Sequence, residues 1–243
     1  MTELSGVLEE TIAAGAEKIG VDIDPACLKA FRAFYQAIVE ENEKHNLTAI
    51  RGEREVAVKH FIDSLSCLKV LDIDAGPVVD LGSGAGFPGI PLKIKSPQMK
   101  ILLVDSVRKK ANFISEVINK LCLEEAEARW DRAEAMGGSG EFRERAGIVI
   151  SRAVASLSVL AELCLPLVNM GGCFLAMKGP GWREDLDGAE KAIDLMGGRV
   201  ERIETLTLPF IPEERALVLI RKDGPTPAGY PRRPGIPAKR PIA

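Results

Sequence analysis

The 243-residue chain holds only two histidines, His45 and His60, and no Cys-x-x-Cys pair. So little imidazole leaves scant material for a His-based metal or hydrolytic site. The five cysteines, Cys27, Cys67, Cys122, Cys164 and Cys173, are odd in number, widely spaced and set in apolar surroundings. That argues against both a disulfide framework and a zinc site. No apolar run approaches the roughly 18 residues a membrane span needs. The opening "MTELSGVLEE" carries acids where an export signal would carry basic residues, so a cytoplasmic location is expected.

What is present is enough for a well-cored globular chain, with 46% hydrophobic and 28% charged residues. The net charge of −3 hides an asymmetry. Residues 221–243 carry six basic side chains against Asp223 alone, which is +5 and leaves −8 for the rest.

The first 75 residues read as a helical cap. Asp24 is a plausible N-cap and Pro25 a first helical residue, after which Leu28, Phe31, Tyr35 and Ile38 fall at helical spacing. A second helix is expected over 53–71, with Val56, Phe61, Leu65 and Leu68 inward. From Gly76 the pattern changes to short β-branched runs at 77–82, 100–105, 125–130, 147–152, 172–178, 199–208 and 215–222. Helical stretches at 107–121, 156–169 and 183–196 lie between them. This alternation predicts an α/β fold, a doubly wound, mostly parallel seven-stranded sheet over 76–223. The last two runs are too close for a helical crossover and should form an antiparallel edge hairpin. Residues 224–243 read as a basic, Pro-rich extended tail that lies along the domain or stays mobile.

The most informative stretch is "VVDLGSGAGFPGIPLKI", residues 78–94, a strand, a glycine turn and a helix expected to start at Pro88. A G-x-G-x-x-G match at Gly84, Gly86 and Gly89 is out of register, because the dinucleotide fingerprint begins directly after the strand. No G-K-[ST] follows, so a P-loop is excluded. The frame that fits is D-x-G-x-G-x-G, Asp80, Gly82, Gly84 and Gly86, with room for a ligand carrying a nucleoside and an amino acid. Asp105, at the end of the next strand, is placed to accept both hydroxyls of a ribose. That serves NAD and S-adenosylmethionine equally, and the glycine turn favours the latter.

At the end of the fourth strand stand Ser151 and Arg152, with neither an Asn/Asp-Pro-Pro-aromatic segment nor a cysteine nucleophile nearby. A purine ring nitrogen has an in-plane lone pair and no proton to lose, so alignment alone could suffice for its methylation. Arg152 would contact the cofactor's carboxylate or an RNA phosphate. A small-molecule methyltransferase, a NAD-binding dehydrogenase and an RNA-binding assembly factor with a vestigial pocket remain as alternatives.

The motifs "HNLTAI" (45–50), "HFIDSL" (60–65), "DLGSGAGFPGIPL" (80–92), "DSVRKKANF" (105–113), "DRAE" (131–134), "SRAVASL" (151–157), "AMKG" (176–179) and "YPRRPGIPAKRPI" (230–242) occur in this order. Together they resemble the bacterial small-subunit ribosomal RNA methyltransferase G family. The resemblance implies a Rossmann-like fold, S-adenosylmethionine as cofactor and transfer to N7 of a guanine in the 530 loop of 16S rRNA. It implies cofactor contacts from Gly82, Phe87, Ala133, Glu134 and Arg152, with adenine near Ala133 and Glu134. Gly84 and Asp105 join that set from the reading of the turn, and Arg152 is expected to position the reactants. Candidate RNA contacts are Arg232, Arg233, Lys178, Asn46 and His60, with Tyr230 as a base-stacking neighbour, and Arg232 and Arg233 serve either RNA or the packing of the tail on the domain. A monomer acting on the small subunit or its assembly intermediate is expected, without metal or membrane.

Overall fold

Seven strands form where these runs lie, the inner ones because their side chains alternate between two covered faces. The computed structural model describes residues 6–45, 50, 52–73, 76–152 and 155–242. Strands β1 (Val78–Leu81), β2 (Ile101–Asp105), β3 (Ala126–Trp130), β4 (Ala146–Arg152), β5 (Val168–Lys178), β6 (Gly198–Thr207) and β7 (Glu214–Lys222) make one sheet of order β3-β2-β1-β4-β5-β7-β6. The first five are parallel, and β7 runs antiparallel to both β5 and β6. In β4, Ile148 and Ile150 face one core and Val149 the other, and β5 repeats this with Leu175 and Phe174. Burial on both faces explains why these runs read as continuously apolar.

On one face lie α1 (Val7–Lys18), α2 (Pro25–His45), α5 (Gly89–Lys95) and α6 (Arg108–Lys120). The N-terminal helices share their apolar core with the sheet. Asp24 caps α2, its Oδ1 accepting the Cys27 N–H at 2.7 Å. On the other face lie α7 (Ala133–Gly138), α8 (Leu157–Cys164), α9 (Trp182–Asp187) and α10 (Glu190–Leu195).

Four helical expectations need correction. The stretch 53–71 is a composite: α3 (Glu53–Val56), a π-helical segment (Ala57–Ile62), α4 (Asp63–Leu65) and a 3-10 turn (Ser66–Lys69). The stretch 156–169 ends early, because Pro166 sits in a 3-10 turn over Leu165–Leu167 and β5 already starts at Val168. The stretch 183–196 breaks at Gly188 and Ala189 into α9 and α10. Helix α5 starts at Gly89, with Pro88 as its N-cap rather than its first residue. All five cysteines are free thiols, four of them buried, while Cys122 is exposed instead of apolar-lined.

Residues 224–242 run along α7 and α8, ending in one helical turn, α11 (Ile236–Lys239), where an extended tail was expected. Arg143 binds this segment by donating to the carbonyls of Thr226 (2.8 Å) and Tyr230 (2.6 Å). Ser158 donates to the carbonyl of Ile242, and the Gly235 N–H donates to Glu134 at 2.9 Å.

Candidate active site at the carboxyl ends of the parallel strands

Topology places the site. The crossover direction reverses between β1 and β4, and ligands of doubly wound sheets bind beyond the carboxyl ends at such a point. A cavity of about 710 Å³ opens there. Gly82, Gly84, Phe87, Asp105, Arg152, Lys178 and His60 all line it, so most of the residues singled out in the sequence share one space.

The turn after β1 has the conformation its glycines suggest. Gly82, Gly84 and Gly86 have φ of +78°, +61° and +94°, in the left-handed region that side chains disfavour. A Cβ added at Gly84 would meet only the Gly82 carbonyl, at 3.9 Å, and otherwise project into open space. The turn is tied to its neighbours through carboxylates. Asp105 Oδ2 accepts the Gly84 N–H at 3.0 Å and Oδ1 the Val107 N–H at 2.8 Å, leaving each oxygen a further lone pair for a ligand hydroxyl. Gly89 allows α5 to approach the sheet, since a Cβ there would come within 2.6 Å of Leu103 Cδ2 and 2.7 Å of Asp80 Oδ2.

Asp80 itself faces the protein, fully buried. Its Oδ2 accepts the Gly89 N–H at 2.8 Å, and Oδ1 has no hydrogen-bond partner among the described residues. Burial pushes its pKa up from 3.8 to about 7, against the opposing pull of the Gly89 N–H and Arg152. A raised folded-state pKa means that the fold favours the protonated acid. The associated stability is complete below the unfolded pKa and is lost as pH rises through about 7. Asp80→Asn keeps an acceptor for Gly89 and removes the titration. Thermal melts should therefore show the variant losing about 5 °C less than the parent between roughly pH 5 and pH 8. Parallel pH profiles for the two proteins would refute this.

Phe87 forms one wall and anchors it in a ring cluster. His60 stacks on it at 4.5 Å between centroids, and Phe34 and Phe61 pack at 5.0 and 5.4 Å. Burial and the nearby Arg152 hold His60 far below its usual range, at about 3, so the ring is neutral at physiological pH. Arg152 reaches over the Phe87 ring, 5.4 Å from its centroid. Its guanidinium donates to Asp63 Oδ2 and to the Lys59 carbonyl, both at 3.0 Å, and lies 3.2 Å from His60 Nδ1. Lys59 and His60 belong to the π-helical segment, a distortion often found at functional sites. Arg215 Nε stands 3.5 Å from the other oxygen of Asp63.

Sequence reasoning passed over Asp63 and Arg215. Asp63 lay inside a noted motif without a role, and no local signal marks Arg215. The lining cations Lys59, Lys110, Lys178, Arg152 and Arg215 outnumber Asp63 and Asp105, which suits an anionic substrate. Lys178 is also engaged, donating to the Ala155 carbonyl at 2.9 Å and pairing with Asp185 at 2.5 Å.

The remaining expectations fare differently. Ala133 and Glu134, at the start of α7, are not among the residues lining the cavity, and Glu134 accepts the Gly235 N–H. Arg232, read as serving either RNA or the packing of the tail on the domain, is committed to Glu162. Its Nε and backbone N–H donate to Oε1, both at 2.8 Å, and its Nη2 donates to Oε2 at 2.5 Å. The reason is electrostatic, because Glu162 is fully buried in α8 and requires a cation. Arg233 is exposed, Tyr230 packs against the second core, and Asn46 lies outside the described residues.

A family profile described as rRNA small subunit methyltransferase G matches residues 27–217 of this chain. The chain belongs to that family. Among relatives, the ribosomal RNA small subunit methyltransferase G of Pelotomaculum thermopropionicum is 54% identical over 237 residues, covering 97% of this chain and 99% of the relative. The protein of the same name from Acetivibrio thermocellus is 41% identical, with both chains fully covered. Solved structures share the fold at much lower identity. A ribosomal protein L11 methylase from Lactobacillus delbrueckii superposes with a TM-score of 0.51 at 12% identity, over 72% of this chain and 81% of that one. The YcgJ protein of Bacillus subtilis gives 0.51 at 12% identity, over 68% and 100%. The family's Rossmann-like methyltransferase fold is thus present, with its seven strands in the order given above. Among the described residues no group of three or more His, Cys, Asp or Glu could hold a metal ion, and no helix is long and apolar enough to cross a membrane.

Proposed function

We infer that this chain transfers a methyl group from S-adenosylmethionine to N7 of a guanine in the 530 loop of 16S rRNA, in the small subunit or its assembly intermediate. The observation that carries the reading is the left-handed glycine turn of residues 82–86 beside the nearly buried Asp105, in a chain of this family. The residues fit the cofactor. The open space at Gly84 admits a ligand against the backbone, Asp105 offers acceptors for ribose hydroxyls, and Phe87 offers a flat apolar wall. When bound, S-adenosylmethionine supplies an electrophilic methyl group on a sulfonium.

The chain's own residues then need only bind and orient. Guanine N7 attacks with a lone pair and loses no proton, so no general base is required. The neutral His60 is consistent with that economy. Arg152 fixes the geometry between Phe87 and Asp63, and the excess of lining cations attracts the phosphate backbone. Because N7 lies in the deep, narrow groove of A-form RNA, the acceptor must be unpaired or splayed out.

Incubation with methyl-labelled S-adenosylmethionine and small subunits from cells lacking the family enzyme tests this. Borohydride and aniline cleavage should map N7-methylguanine to the 530 loop. Label elsewhere, or none, would refute the assignment. Calorimetric binding of NAD(H) without S-adenosylmethionine would favour a dehydrogenase.

A further inference from the structure

The chain contains two tryptophans, and the structure treats them in opposite ways. Trp182 is 8% exposed and packs into the second core, whereas Trp130, the last residue of edge strand β3, is 56% exposed. A single exposed aromatic is ordinary at a protein surface. It is nonetheless held in position. Its Nε1–H donates to the Ser106 carbonyl at 3.0 Å, and the Arg108 guanidinium lies 5.1 Å from the ring centroid. Ser106, Val107 and Lys110 line the cavity, so the indole is bonded directly to the cavity's rim. Val107 is itself 46% exposed. The two segments meeting there, 106–110 and 130–132, carry Arg108, Lys109, Lys110 and Arg132 against Asp131, which pairs with Arg129 at 3.3 Å.

An exposed aromatic face framed by cations is the composition of a single-strand nucleic-acid stacking site, in which the ring takes a base and the cations take phosphates. The geometry points to Trp130, backed by Arg108, as a platform for an unpaired RNA base beside the acceptor guanine, with Lys109, Lys110 and Arg132 engaging the adjoining phosphates. This rests on reading the chain as an rRNA methyltransferase. A strand that presents a splayed guanine to the cavity has lost stacking there, and the indole at the rim replaces it.

Tryptophan fluorescence separates this site from the rest of the protein. Titration with a single-stranded oligoribonucleotide of about twelve residues should quench the wild-type signal. In Trp130→Phe, which leaves Trp182 as the sole tryptophan, the quench should vanish while RNA affinity stays within about threefold, because a ring remains to stack on. Trp130→Ala should raise the KM for small-subunit RNA by about tenfold and leave the S-adenosylmethionine Kd unchanged. Inorganic polyphosphate, which has charge but no bases, should not quench. Quenching that survives in Trp130→Phe, an unaltered RNA KM in Trp130→Ala, or a weakened cofactor Kd in its place would each overturn the proposal. Absence of methyl transfer by the wild type would refute the methyltransferase reading instead, and the oligonucleotide titration reads the stacking without it.

Discussion

Replacing Arg232 by alanine is expected to cost about 3–5 kcal/mol of folding stability, the penalty for stripping the partner from a buried charge. Glu162 lies fully buried in α8 and takes four hydrogen bonds from Arg232, one of them from its backbone N–H. Alanine would preserve the backbone bond and leave the carboxylate otherwise uncompensated, so the melting temperature should fall by about 10 °C. Changing Glu162→Leu and Arg232→Leu together removes the pair without stranding either charge and should recover most of the loss. Strictly additive single and double variants would show that the pair is uncoupled. The neighbouring Arg233→Ala should leave stability within about 0.5 kcal/mol, since that side chain is exposed.

Arg152→Ala should lower kcat/KM for methyl transfer by about 100-fold, the scale of loss when a positioning contact is removed. Four neighbours depend on its guanidinium: Asp63, the Lys59 carbonyl, His60 and the Phe87 ring. Lysine at this position keeps the charge without the planar fork, so Arg152→Lys should recover only part of the activity. Most of the loss should appear in kcat, with cofactor binding changed less. A variant within about threefold of wild type would reduce Arg152 to an ordinary ion pair.

The strands were legible because burial on both faces selects runs such as "GIVISR" and "GCFLAMK", which no helical period fits. Helix ends were less so. Leu165-Pro166-Leu167 is apolar enough to extend a helical pattern, yet proline and the bulge between β4 and β5 convert it into a turn and an early strand. The π-helical segment left one trace, the five-residue step from Val56 to Phe61, off the usual rhythm of three and four. At the site, local grammar identified Gly82, Gly84 and Asp105, since strand ends and positive φ have sequence signatures. Arg215 had none, because its partner Asp63 is distant in the chain, in α4, while Arg215 stands near the start of β7. The tail showed the same limit. Its charge was visible, but the buried acid that claims Arg232 was not, because Glu162 sits in a helix with nothing local to mark it as unpaired.

The glycine turn is not a portable cassette. Gly86 leaves no room for a Cβ between Ile90 and Phe34, Gly89 touches Leu103 and the Asp80 carboxylate, and Phe87 is wedged among Phe34, Phe61 and His60. Grafted onto another sheet of the same topology, the loop would arrive without the N-terminal rings that set its wall. Engineering of cofactor preference in this scaffold must therefore treat positions 34, 60, 61 and 87 as one volume to be redesigned together.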